Sequence, residues 1–336
     1  MELIAALILV GLLVGYLVLA GCDIGLGMLM PYLTRGPQDR RRATAAIAPY
    51  FLGTEVWLVA AVGLTAGVFP ELKTAVLNPL WGVFLAILAG WLWRDAGLWF
   101  RARVDTDWWR RACDTAIVGG SWTLAVGWGL AIGGTLAGGT LQSPFALACA
   151  ATVVLLFALR GAAFGAERLV PVHESVQDAP AAVPAGGGGA VRVAAPAPSA
   201  PALAESADVA GRATRLLSRS ALAGVVVTLA ALPLPGGPAL DRIVPAAVVA
   251  VVLAAALTAT VGLSGPRWSR HTSALAIAAP VLLVATAVEL PLGTPPGPTL
   301  TLVLVMLLPA VPVALLGQIW LYRMVRTPTA ATGFFA

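Results

Sequence analysis

Charged residues are scarce in this 336-residue chain: they make up 11% of it, whereas 59% is hydrophobic. Soluble domains carry roughly a quarter charged residues, so the composition excludes an ordinary soluble protein. The apolar runs are continuous and do not alternate with polar residues, which excludes a transmembrane β-barrel. The sequence therefore predicts an all-α polytopic membrane protein.

Histidine and cysteine are also rare. The two histidines, His173 and His271, lie outside the predicted spans, whereas haem b in a membrane is usually held by His or Met from facing helices. The sequence thus disfavours a bis-histidine haem in this chain. The three cysteines form no CxxC pair, so neither a disulfide framework nor a metal site is indicated. Walker, HExxH, CxxCH and GxSxG motifs are missing, which leaves ATP hydrolysis, metalloproteolysis and covalent haem unsupported.

Long apolar runs dominate what is present. A membrane-spanning helix needs about 20 mostly apolar residues. About nine stretches of the chain meet this requirement. They are roughly residues 3–30, 45–69, 76–100, 115–138, 144–166, 216–234, 243–264, 272–292 and 299–322.

Basic residues follow the odd-numbered spans, whereas the loops after the even-numbered spans hold only Lys73 and Arg242. Cytoplasmic loops of membrane proteins carry such an excess of Lys and Arg. We therefore predict an N-terminus outside the cell and a C-terminus in the cytoplasm. The same distribution accounts for the net charge of +5, since the basic residues orient the chain in the lipid membrane. The charge therefore does not indicate nucleic-acid binding. The basic residues concerned are Arg35, Arg40, Arg41, Arg42, Arg101, Arg103, Arg110, Arg111, Arg168, Arg212, Arg215, Arg219, Arg267, Arg270, Arg323 and Arg326.

One segment differs from the membrane-embedded rest. Residues 174–211 are mostly Pro, Ala and Gly without apolar periodicity, a composition that cannot bury enough surface to order itself. We predict a disordered cytoplasmic linker there. It divides the chain into residues 1–173, with five spans, and residues 212–336, with four spans and a short C-terminal tail.

Charged residues at membrane depth occur almost only in the first half: Asp23, Glu55, Arg94, Asp95 and Arg160. An ionisable side chain costs several kcal/mol in the bilayer, so each is a functional candidate. At 1.5 Å rise per residue, they fall roughly 10–15 Å inside the cytoplasmic boundary. The sequence thus predicts one layer of charge shared by four helices.

Two interpretations of this layer remain open. It is either a set of structural ion pairs that lock the helices together, or a patch facing protons or a cofactor and reached from the cytoplasm. Gly21, Gly25 and Gly27 would let another helix approach Asp23 closely, which fits both. Asp23 and Glu55 are the candidates for a proton pathway, since their helices are predicted to be antiparallel neighbours whose acids face each other across a gap of one or two waters.

The first half resembles subunit II of the cytochrome bd quinol oxidases. Residues 19–29, LAGCDIGLGML, resemble the family segment DGFDxGxGML, and residues 47–58, IAPYFLGTEVWL, resemble IxPxWDxN[EQ]VWL, with Trp57 at the tryptophan. Arg94 matches the arginine that ends the third helix. Trp109, Arg110 and Asp114, followed by Gly-Ser, are similar to the family's WRxxWD and GS. Residues 1–165 carry most of the resemblance.

The resemblance implies a subunit that supports a larger partner, subunit I, in a heterodimer of the bacterial cytoplasmic membrane. The partner would hold haems b and d and the quinol site, and this chain would ligate no haem, hold no metal and contain no catalytic residue. It would belong to an enzyme that oxidises quinol and reduces O2 to water, and would help to supply protons from the cytoplasm.

Several positions depart from the family pattern. Phe51-Leu52 replaces its Trp-Asp, Thr54 replaces its Asn, Trp99 replaces its acid near the end of the third helix, and Cys113 replaces its second tryptophan. The acid missing at Leu52 is associated in the family with a proton route. A divergent relative that acts as a membrane scaffold without oxidase activity therefore stays an alternative. A proton-coupled transporter would need polar midplane sites in both halves, which the charge-poor second half lacks.

The predicted topology can be tested at the linker. Proteolysis of inside-out vesicles should cut within residues 174–208 and leave both halves in the membrane, because the segment is predicted to be disordered and cytoplasmic. Immunoblotting of the membrane fraction for each half would detect this. Cleavage only from the outer face would contradict the predicted orientation.

Overall fold

The structure, a computed structural model, describes residues 2–169, 200–238, 240–262, 266–294 and 297–324. Within these ranges all regular structure is helical. The ten helices are α1 (Glu2–Leu33), α2 (Pro37–Val68), α3 (Pro70–Leu77), α4 (Trp81–Phe100), α5 (Asp107–Leu136), α6 (Pro144–Arg168), α7 (Ala200–Ala230), α8 (Ile243–Gly262), α9 (Pro266–Ala287) and α10 (Gly297–Met324).

Nine of these helices are long and apolar enough to cross a membrane, and α3 is too short. The prediction of an all-α membrane protein with about nine spans is therefore confirmed. The helices extend beyond the apolar runs: α2 begins at Pro37 and so includes Arg40, Arg41 and Arg42, which were expected in a loop. Hydropathy marks the part of a helix in lipid, whereas arginine is a good helix former and extends the helix into water.

Helix α7 corrects the predicted extent of the linker. It begins at Ala200, so residues 200–211 are helical. The segment is rich in alanine, the strongest helix former, and Ser206 and Ala210 are buried. Glu205 also forms an ion pair with Arg35 at 2.6 Å. Residues 174–199 of the predicted linker lie outside the described residues.

His271 was expected in a loop but lies in the second turn of α9, with an exposed side chain. The apolar run that predicted this span begins later than the helix does, because polar residues at its start remain compatible with helix. His173 lies outside the described residues.

Helix α6 is at the centre of the bundle and packs against α1, α5, α7 and α9. The approach of α1 to α6 is so close that a Cβ atom at Gly25 would overlap the carbonyl oxygen of Phe157, and one at Gly161 would overlap the backbone of Gly25. Small residues permit such backbone contact between membrane helices. Helices α2, α4 and α5 complete the N-terminal part, with α1 contacting α2 and α5, and α4 contacting α5.

Candidate functional site: an intramembrane charge chain

Asp23 and Arg94 form a buried ion pair between α1 and α4. The Nη2 atom of Arg94 donates to Oδ2 of Asp23 at 2.6 Å, and the backbone N–H of Ile24 donates to Oδ1 at 2.7 Å. Both residues are almost completely buried, with 0% and 3% exposure. A charge-assisted hydrogen bond of this length is among the stronger polar contacts.

Glycines bring the helices close enough for this pair. A Cβ at Gly120 of α5 would lie 2.6 Å from the Cβ of Arg94, so α5 packs directly behind α4 at this level. On α1, a Cβ at Gly27 would overlap the hydroxyl of Ser121. A Cβ at Gly21 would lie 2.7 Å from Ile277. Both faces of α1 around Asp23 are therefore covered by protein.

Asp95 and Glu55 extend the chain of charges toward the side of the bundle. Nη1 of Arg94 lies 3.6 Å from Oδ1 of Asp95, beyond hydrogen-bond distance, and the Asp95 side chain is 15% exposed. Glu55 of α2 is half-buried and lies close enough for its charge to act on the carboxyl group of Asp95.

This arrangement differs from the predicted pairing. The expectation placed Asp23 and Glu55 face to face across water, but the direct partner of Asp23 is Arg94, and that of Glu55 is Asp95. Arg94 and Asp95, adjacent on α4, link the two acids. The positions of these residues along their helices predicted a similar depth in the membrane. The rotation of α4 about its axis decides which of the side chains meet.

Arg160 was expected in the same layer but lies in a different set of contacts. Its Nε donates to the carbonyl of Val18 at 3.1 Å, and its Nη1 donates to the carbonyl of Arg270 at 2.6 Å and to Ser273 at 3.1 Å. Among the described residues no carboxylate lies within ion-pair distance of it. Arg160 thus joins α1, α6 and α9 through backbone carbonyls.

Asp114 belongs to a separate cluster at the ends of α2, α4 and α5. Asp114 accepts from Nε of Arg101 at 2.6 Å and lies 3.4 Å from Nη1 of Arg40. Trp109 donates from its indole to the carbonyl of Phe100 at 2.8 Å. These contacts fasten the connection between α4 and α5. From the sequence, Arg40 and Arg101 were predicted only to indicate the orientation of the chain in the membrane.

Arg110 pairs with two acids near the start of α5. It forms an ion pair with Asp105 and lies 3.8 Å from Asp107. The side chain is 41% exposed, and both acids are more exposed still. Arg110 is therefore a surface residue outside the buried charge chain.

Two further polar side chains belong to the region around Glu55. Trp57 packs against Gly15, with its indole N–H buried and without a hydrogen-bond partner. Gln318 of α10 donates to the carbonyl of Gly53 at 2.9 Å, while its side-chain oxygen is buried without a partner. The sequence analysis missed Gln318, although a lone amide in an apolar run was a signal that could have identified it. The side chain of Leu52 lies outside the described residues.

Comparison with known proteins identifies the family. A profile described as cytochrome bd terminal oxidase subunit II matches residues 1–325. The chain belongs to this family. It is 33% identical over 132 residues to "Cytochrome bd-I ubiquinol oxidase subunit 2" of Escherichia coli K12, an alignment that covers 39% of this chain and 35% of the relative.

Two other relatives agree. "Probable cytochrome oxidase subunit 2" of Haemophilus influenzae is 28% identical over 168 residues, which are 45% of this chain and 44% of the relative. "Cytochrome bd ubiquinol oxidase subunit 2" of Bacillus subtilis is 30% identical over 110 residues, which are 33% and 32% of the two chains. The alignments thus span between about a third and under half of each relative's length.

The buried pair leads to a prediction about stability. Asp23→Asn should lower the free energy of unfolding by about 3–5 kcal/mol, because it removes the hydrogen-bonded counter-charge of the buried Arg94 guanidinium and leaves only Asp95, at 3.6 Å. The double variant Asp23→Leu with Arg94→Met should recover part of that loss. Thermal unfolding of the purified protein would measure both changes.

The matched control for this experiment is Asp107→Asn, which removes a carboxylate whose side chain is 84% exposed. Exposed ion pairs contribute little to stability, so this variant should unfold like the original protein. Equal stability of the Asp23 and Asp107 variants would contradict a stabilising role of the buried pair.

Proposed function

We propose that this chain is the haem-free subunit of a cytochrome bd-type quinol oxidase, which oxidises quinol and reduces O2 to water. In this proposal a larger partner, subunit I, holds haems b and d and the quinol site. The chain covers the partner and supplies protons through Glu55 and Asp95. The family match along residues 1–325 is the main support.

A surface for the partner is offered by α2, α4 and α10. Only 6% of the membrane-spanning part of α10 is buried against the chain, and its main contact is α2. The outer faces of the three helices present large apolar side chains; they include Val56, Val59, Val62, Leu85, Leu88, Leu92, Leu302, Val305 and Leu316. Apolar faces alone are compatible with lipid. The polar groups between them distinguish a protein partner from lipid.

Those polar groups are Glu55, Asp95 and Gln318. Asp95 and Gln318 each have a buried oxygen without a hydrogen-bond partner, and the carboxyl group of Asp95 remains partly exposed. An acid that faces lipid at this depth is costly. A protein subunit that covers this face would remove that cost and could donate to the unpaired oxygens.

The same location supports a role in proton supply. Glu55 and Asp95 are two acidic side chains close to each other on the side of the bundle, and carboxyl groups are among the side chains that transfer protons in enzymes. Asp23 is different, because its oxygens are already engaged by Arg94 and the backbone of Ile24. We therefore assign proton transfer to Glu55 and Asp95, and a structural role to Asp23.

The proposed location of the haems in the partner agrees with the positions of His271, Met28 and Met30 among the described residues. Haem iron takes His, Met, Cys or Tyr as axial ligand. His271 is exposed at the start of α9, while Met28 and Met30 are packed in apolar clusters of the bundle interior. Among the described residues no three His, Cys, Asp or Glu side chains gather into a metal site.

The second candidate is a membrane scaffold without oxidase activity, favoured by Leu52 in place of the family's acid. The two candidates are distinguished by purification from native membranes. The proposed function predicts a co-purifying larger subunit with b- and d-type haem absorption, and no stoichiometric haem on the chain expressed alone. A haem signal from the isolated chain that disappears in His173→Ala or His271→Ala would contradict the assignment, and a haem-free native complex would favour the scaffold.

Proton supply predicts unequal effects of two acid substitutions. Glu55→Gln should slow O2 reduction by the assembled complex about tenfold or more, because a positioned proton carrier contributes at least that factor, while assembly stays intact. Oxygen consumption by the purified complex over a range of pH would measure it. Glu71→Gln, which changes an exposed acid on α3, is the matched control. A Glu55→Gln complex that turns over at the original rate at every pH would leave only the structural role.

A further inference from the structure

Helix α7 presents two different faces along its length. One face is buried and consists largely of small residues, among them Ser206, Ala210, Thr214, Ser218 and Ala221. The opposite face is exposed and changes character along the helix. It carries Arg212, Arg215 and Arg219 over two turns and then continues with Ala223, Val226 and Ala230. This change from basic to apolar marks the level at which the exposed face enters the lipid.

Within the part of the chain that the structure describes, the three arginines of this face have no acidic partner. Other arginines at this end of the protein do: Arg35 pairs with Glu205, Arg110 with Asp105, and Arg270 with Glu167. Among the described residues no carboxylate lies within ion-pair distance of Arg212, Arg215 or Arg219. Asp208 is exposed one turn before Arg212 but forms no ion pair with it. Three uncompensated positive charges therefore lie within about 10 Å along the helix.

An apolar groove lies between α7 and α8, over α6 and α9, and its α7 lining begins at Val225, six residues beyond Arg219. Its walls include Val225 and Leu229 of α7 and Val249 and Leu253 of α8. Leu229 is 48% exposed, so the groove is reached from the side of the bundle. Two hydroxyl groups belong to the lining described, those of Thr152 and Thr228, and each lies within hydrogen-bond distance of the other and of a carbonyl of its own helix. The groove thus offers apolar surface and few hydrogen-bonding groups for water.

The arginines and the groove are in register. Ser218 donates to the carbonyl of Leu257 and so marks the side of α7 that faces α8. Arg215 lies about 60° around the helix from Ser218, on the flank next to α8. Val225 follows Arg219 by six residues, which is about 9 Å toward the middle of the membrane. A charged group at the arginines and an apolar chain in the groove would therefore belong to one molecule.

We propose that α7 binds an anionic phospholipid, with its phosphate at Arg212, Arg215 and Arg219 and an acyl chain in the groove between α7 and α8. Guanidinium groups bind phosphate through paired hydrogen bonds, and basic pockets at the ends of membrane helices bind anionic head groups. A single occupant with a phosphate above and a hydrocarbon chain below matches both features. This site does not depend on the proposed oxidase function.

The test uses the protein as isolated from membranes, together with any subunit that co-purifies. The triple variant Arg212→Gln, Arg215→Gln, Arg219→Gln should lose bound phosphatidylglycerol or cardiolipin at least about fivefold, since each arginine near the membrane contributes its own attraction. Mass spectrometry of extracted lipids after delipidation and reincubation with mixed vesicles would measure it. Phosphatidylethanolamine bound in the same samples should not change.

The matched control removes the same charge elsewhere, as Arg103→Gln, Arg110→Gln, Arg111→Gln in the connection between α4 and α5. This control should retain the anionic lipid. A second variant, Ala250→Leu, narrows the groove without altering charge and should also lower retention. Equal retention in the α7 variant and the control would overturn the proposal, as would loss of an acidic protein or nucleic acid, and not of lipid, from the α7 variant. Haem absorbance and oxygen consumption, measured in parallel, separate this result from the fate of the proposed function.

Discussion

The ion pair between Asp23 and Arg94 imposes a geometry on the N-terminal helices that apolar packing alone would not. Each charge is buried, and either one without the other would be strongly unfavourable. Helix α1 must therefore direct position 23 toward α4, and α4 must direct position 94 toward α1. The two charges meet in a 2.6 Å bond. The surrounding helices must pack closely around this bond to keep it buried.

The glycines of α1, α5 and α6 meet that requirement. Backbone contact between Gly25 and Gly161 places α6 behind α1, and Gly120 places α5 behind Arg94. Any side chain at these positions would push the helices apart by more than a hydrogen bond tolerates. The small residues and the buried charges are thus parts of one arrangement, because the former permit the distances that the latter need.

This closed interior leaves the second pair of acids in a different environment. Glu55 and Asp95 lie on the side of the bundle, near the contact of Gln318 with the carbonyl of Gly53, and oxygens of Asp95 and Gln318 remain unpaired there. A buried acid that is paired with a cation is held in a fixed contact. A partly exposed acid beside another acid is better placed to exchange a proton. The contrast between the two pairs, one residue apart on α4, is the physical basis of our proposal that Asp23 is structural and that Glu55 and Asp95 transfer protons.

Sequence alone was sufficient for the number of spans, and it predicted that charges on four helices lie at a similar depth. Both depend on position along the membrane normal, which residue spacing on a helix fixes at a constant rise. The tertiary structure decided which charges meet: Asp23 with Arg94, Glu55 with Asp95, and Arg160 with carbonyls of α1 and α9. It also decided that α7 begins at Ala200, because burial of Ser206 and Ala210 stabilises a helix whose composition alone indicated a linker. The lateral position and the rotation of each helix depend on packing at glycines that are far apart in the sequence. Hydropathy along the chain does not report that packing.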